Sequence, residues 1–161
     1  MRILFARTVL LLVGFGLIVS SGCGAGGPAS TGATLAPAGP RPHGGAVFAL
    51  PGEKGFGELV IEYEKGTKKG KGAARSQVVV YFLQPDRKSG MTTPPGAVSA
   101  RLDLPDREPV TVELKPQPNP KDPAGTARFA SESGQFDYDE LRIELTATLD
   151  GQPFARRLTV R

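Results

Sequence analysis

From Arg41 to Arg161 the apolar residues recur at every second position, which is the period of a β-strand and not of a helix. Leu59, Ile61 and Tyr63 alternate with Val60, Glu62 and Glu64. Val98, Ala100, Leu102 and Leu104 alternate with Ser99, Arg101 and Asp103, and Val110, Val112 and Leu114 with Thr111, Glu113 and Lys115. Leu141, Ile143, Leu145, Ala147 and Leu149 are spaced by Arg142, Glu144, Thr146 and Thr148. Each run predicts a half-buried strand with one wet face. Val78–Leu83 (VVVYFL) is apolar throughout and predicts a central strand covered on both faces. No window sustains an i, i+3, i+4, i+7 apolar pattern for three turns. With Ala46–Leu50, Thr126–Ala130 and residues 153–160 the count reaches about eight strands. Prolines 85, 94, 95, 105, 109, 116, 118, 120 and 123 fall in the gaps, where they remove no ladder hydrogen bond. Asp150-Gly151 stands between the last two strands and accepts the positive φ of a type I′ hairpin turn. The expected fold is an all-β, antiparallel β-sandwich over residues 41–161, immunoglobulin-like or similar. The likeness to immunoglobulins is one of architecture, because the chain holds no Trp and a single Cys.

The amino-terminal 22 residues follow a different logic. Arg2 and Arg7 precede a twelve-residue apolar core, Thr8–Val19, which is too short to span a bilayer and suits the h-region of a secretory signal. Ser20-Ser21-Gly22-Cys23 follows, with small residues ahead of the only cysteine. This segment resembles the lipobox of bacterial lipoprotein precursors, with Ser20 where Leu is commonest. The resemblance implies a diacylglyceryl group on Cys23, cleavage before it, and anchoring by two or three acyl chains, which is stable where one chain is marginal. Gly24 in place of Asp resembles the class sorted to the outer membrane. Residues 24–40 hold five Gly, five Ala, three Pro and no charge, so the stretch from Cys23 to Pro40 reads as a flexible linker. A coil of this length spans about 20–25 Å. Without Arg2 and Arg7, 18 basic side chains face 16 acidic ones. A net charge near +2 without Trp is not the composition of a nucleic-acid binder.

Three constellations are candidates for chemistry. Pro42-His43-Gly44-Gly45 opens the domain and, with the Glu-Leu-Val and Val-Tyr-Phe-Leu strands, resembles small secreted or lipid-anchored bacterial proteins, many of planctomycete type. That resemblance spans residues 42–83 and implies no activity. His43 is either a ligand for copper, nickel or zinc or a residue closing the first turn, its glycines supplying positive φ. No second His, free Cys or well-placed Met accompanies it. The lysines of residues 65–72 do not match a phosphate loop in spacing and precede no helix. They form either a solvated hairpin loop or a basic contact for anionic headgroups or polymer. Glu132, Asp137, Asp139 and Glu140 precede the 141–149 strand; loop carboxylates can hold calcium, but the EF-hand spacing is absent. Tyr138 stands where a tyrosine corner would.

The expectation is a lipid-anchored envelope protein, on the outer membrane facing the periplasm, with a non-catalytic β module that contacts a protein or polymer. No catalytic residue, cofactor, nucleic acid or small-molecule substrate enters this reading. The alternative is an accessory periplasmic metal-binding protein using His43 and loop carboxylates, Asp137 and Asp139 among them. A hydrolase stands third, because three tyrosines and no Trp make a poor sugar platform.

Overall fold

The computed structural model describes residues 38–66, 75–118 and 127–161. The signal segment, Cys23 and the linker up to residue 37 lie outside the described residues, as do most of the basic loop and Thr126. Eight antiparallel strands are present: β1 (Ala46–Ala49), β2 (Phe56–Tyr63), β3 (Ser76–Leu83), β4 (Val98–Asp103), β5 (Val110–Pro116), β6 (Ala127–Ala130), β7 (Leu141–Leu149) and β8 (Gln152–Val160). One 3₁₀ turn, Pro51–Glu53, lies between β1 and β2, and no α-helix occurs among the described residues. The expected all-β antiparallel architecture of about eight strands is the one observed.

The strands form one continuous sheet in the order β1-β2-β3-β6-β5-β4-β7-β8. Its two layers are halves of that sheet rather than separate sheets. β5 makes the passage, pairing with β4 along Val110–Leu114 and with β6 through Lys115 and Pro116. The run β3-β6-β5-β4 is a Greek-key order, three hairpin-connected strands with β3 returning beside β6. The sheet bends until β1 and β8 lie alongside each other, so the molecule is a nearly closed barrel.

Both halves contribute to one core, with Phe48, Leu59, Val80 and Phe82 from one side and Ala100, Leu102, Ile143 and Leu145 from the other. Alternation does the sorting, and β7 runs buried-exposed almost without a break. β3 departs from it as the sequence indicated, because Val78–Leu83 is buried on both faces. Asp150 (φ 50) and Gly151 (φ 76) take the two positive-φ positions of the β7–β8 turn. Two prolines lie within strands, at places where a missing N–H is tolerated. Pro116 is the last residue of β5, and Pro153 lies near the start of the edge strand β8.

Gly57 shows how tightly the β1–β2 pair is built. It faces Phe48 across the ladder, and a Cβ at Gly57 would fall 1.9 Å from the Phe48 ring. Gly57→Ala is therefore expected to cost about 1–3 kcal/mol through overpacking. Gly151→Ala meets no neighbouring atom and is strained by its φ alone, at about 1–2 kcal/mol. Urea denaturation of both variants checks this, and a neutral Gly57→Ala would show that the Phe48 ring does not lie on the glycine.

Candidate interaction surface

The outward side of β1, β2, β3 and β6 is not a wet face. Val79, Tyr81, Leu83 and Ala130 form a second apolar cluster there, with Val60 packed against it. In the middle of this face stands Glu58, wholly buried, between Val47 and Tyr81 in the ladder. A buried carboxylate is tolerable only when hydrogen-bonded. Its donors come from the segment that precedes β1. The His43 amide lies 3.1 and 3.2 Å from the two carboxylate oxygens, and the Gly45 amide donates to Oε1 at 2.8 Å.

Residues 39–45 therefore form a strap across the sheet. At one end Gly39 abuts the Arg87 guanidinium, which is buried and lies 3.9 Å above the Phe56 ring centroid. Arg87 (φ 56) is aimed there by a turn in which Asp86 accepts from the Ser89 and Lys88 amides. Those bonds, the Ser89 amide's first, hold the Asp86 carboxyl below its usual range. Further along, the His43 ring stacks on Tyr81 with centroids 3.5 Å apart and planes 2° from parallel. The two glycines then do different work. Gly44 (φ 77) makes the turn, its amide donating to the Arg41 carbonyl. Gly45 allows close approach, because a Cβ would fall 2.2 Å from the Leu59 carbonyl oxygen.

Tyr81 links the strap to a half-buried ion pair. Its hydroxyl donates to Glu62 Oε1 at 2.5 Å, and Arg128 Nη2 donates to Glu62 Oε2 at 2.8 Å. Arg128 Nη1 reaches the backbone and side-chain oxygens of Gln117. Burial works against the Arg128 charge, but its bonds to Glu62 and Tyr81 outweigh burial and raise its pKa.

The residues singled out from the sequence do not converge. His43 is occupied by stacking, so it does more than close a turn. Asp137 accepts from the Tyr63 hydroxyl at 2.9 Å, Glu140 pairs with Arg161 at 3.3 Å, and Glu132 is exposed 4.0 Å from Lys115. Among the described residues no three His, Cys, Asp or Glu side chains come together as a metal site. Tyr138 is not a tyrosine corner: its hydroxyl donates to the Asp106 side chain and accepts from Arg107, rather than bonding a nearby backbone group. Alternation assigns an outward position to water, so it does not single out Glu58, Glu62, Tyr81 or Arg128. The one available signal was Tyr81 within an otherwise apolar run, a polar tip that buried tyrosines must satisfy.

Between β1 and β8 the barrel does not close by hydrogen bonds. The two strands run antiparallel, and Arg156 Nε reaches the Ala49 carbonyl at 3.4 Å without a ladder forming. Toward the Tyr63 end this seam widens into adjoining voids of about 250 and 140 Å³, lined by Arg41, Gly45, Ile61, Tyr63, Val160 and Arg161 among others. Phe56 and Tyr63 are seven residues apart on β2, about 23 Å. Gly39, beside Arg87 and Phe56, therefore lies at the end of the barrel opposite the open seam.

Two outcomes are expected. Glu58→Ala strips the His43 and Gly45 amides of their acceptor, at about 1–3 kcal/mol for each group left buried and unpaired. Amide exchange at these two positions should then speed up, and unchanged protection would mean that something else holds the strap. Tyr63 is pushed up from 10 to about 12, first by burial and then by its bond to Asp137. A raised phenol pKa contributes stability that is full below pH 10 and lost as pH rises toward 12. Tyr63→Phe should flatten that part of the alkaline unfolding profile, and an identical profile would deny the Asp137 contact its role.

No protein-family model, curated protein or solved structure matches this chain.

Proposed function

We propose that this chain is a lipid-anchored protein of the bacterial cell envelope, held through Cys23, whose β domain is a non-catalytic interaction module. The observation that carries the reading is the placement of the strap. The chain reaches the domain at Gly39, is fixed across the sheet by Glu58 and Tyr81, and leaves the open seam at the far end. A domain tethered in this way presents its open end outward, toward an envelope protein or polymer. The base of the basic loop lies at the same end, where the Glu64 amide donates to the Arg75 carbonyl. That position favours a partner away from the membrane over headgroups beneath the tether. With Gly24 after the cysteine, the reading places the protein in the outer membrane facing the periplasm.

Accessory metal binding is the weaker reading, because the His43 ring lies on Tyr81 and the loop carboxylates are dispersed among separate partners.

The lipid anchor is tested by labelling cells with radioactive palmitate. Wild-type protein should take up label and fractionate with membranes, and Cys23→Ser should take up no label and give a soluble or uncleaved form. A mature wild-type protein whose Cys23 thiol is unmodified by mass spectrometry overturns the assignment.

A further inference from the structure

The geometry points to the open seam as a strand-completion site, one that takes an extended segment of a partner protein alternating apolar with acidic residues. It rests on the reading of the domain as an interaction module and names what that module holds.

β2 has β1 as its outer neighbour only along Phe56–Leu59. Beyond that the chain turns away at Gly44 and Gly45, because the Gly45 amide is committed to Glu58. The outer edge of β2 from Val60 to Tyr63 therefore has no ladder partner among the described residues, and neither does the outer edge of β8. The backbone groups along such edges need partners, and an added strand supplies them. The voids described above lie where β1 would have continued. A segment of about four residues, about 13 Å long, would lie along Val60–Tyr63.

Alternation dictates what that segment carries. A side chain directed inward meets Ile61, Leu141 and Val160, and apolar groups suit it. Side chains on either side of it point outward, where Arg41 and Arg161 stand. Among the described residues no carboxylate side chain lines either void. Arg161 shares Glu140 with Arg142, at 3.3 and 3.8 Å, and Arg41 has no ion pair among the described residues. The Arg41 charge at the outer rim is thus left without a carboxylate among the described residues, and charge complementarity across an interface sets specificity and encounter rate.

The test uses the full chain in detergent micelles and a library of random linear nine-residue peptides selected against it. Enriched peptides should alternate apolar residues with Asp or Glu. When bound they should slow amide exchange on the Val60–Tyr63 and Leu158–Arg161 stretches. Methylating alternate peptide amides should abolish binding, since the ladder bonds are then lost. Arg41→Glu should weaken binding about tenfold with the melting temperature unchanged. Arg161→Glu, outside the strap, provides a second check should the first variant disturb the strap. Failure to enrich any peptide, enrichment without acidic residues, protection elsewhere, or indifference to methylation overturns the proposal. So does a concentration-dependent dimer protecting the same edges, which would assign the seam to a second copy. Palmitate labelling of Cys23 is unaffected by any of these results, so failure of the site and failure of the anchor are told apart.

Discussion

A strand that is apolar on both faces cannot be served by a one-sided sheet, and β3 imposes this requirement on the whole domain. Its inward residues, Val78, Val80 and Phe82, are covered by the opposite half of the barrel. Its outward residues, Val79, Tyr81 and Leu83, need a second cover. The strap contributes to it, with the His43 ring laid on Tyr81. Backbone crossing an apolar surface brings amides that must find acceptors. Glu58 is the acceptor for two of them, and its own burial is tolerable because they are there. Carboxylate and strap make each other possible. The Arg128–Glu62 pair extends the same solution, with Tyr81 donating to Glu62 and joining the two groups.

The commitment of the strap has a geometric consequence. A chain that continued β1 past Gly45 would complete the barrel, but one that turns to meet Glu58 leaves half of the β2 edge unpartnered among the described residues. Open edges invite unwanted pairing, and this domain restrains part of its own. Arg156 occupies a core-facing position on β8 and sends its guanidinium to the Ala49 carbonyl, while Pro153 lacks a ladder donor. These features guard the Phe56 end of the seam. At the Tyr63 end, Arg41 and Arg161 stand at the rim among the described residues.

The carboxylates between β6 and β7 show how a cluster in sequence comes apart in space. Along a connection that climbs from one half of the sheet to the other, Glu132, Asp137 and Glu140 meet different elements: Lys115 on β5, Tyr63 on β2, and Arg161 after β8. Tyr138, from the same connection, ties the Asp106–Arg107 turn to it. Each contact joins the connection to a separate strand or turn, a stapling role rather than a ligand cage.

The alternation of apolar residues determined the strands, because a side-chain period of two admits no other regular element. Eight strands, the doubly covered β3 and the Asp150-Gly151 turn were all legible on that ground. Pro42-His43-Gly44-Gly45 was legible as a turn, but the distinct needs of its glycines were not. One answers to a dihedral angle, which a sequence can suggest. The other answers to the Leu59 carbonyl oxygen, which only folding brings near. Glu58 and Glu62 were illegible for the same reason. A charged residue at an outward position goes to solvent unless something arrives to cover it, and what arrives here comes from residues 13 to 66 positions away. Local periodicity sets which way each side chain points; the partner it finds there, and the seam left open, are decided by how distant strands close the barrel.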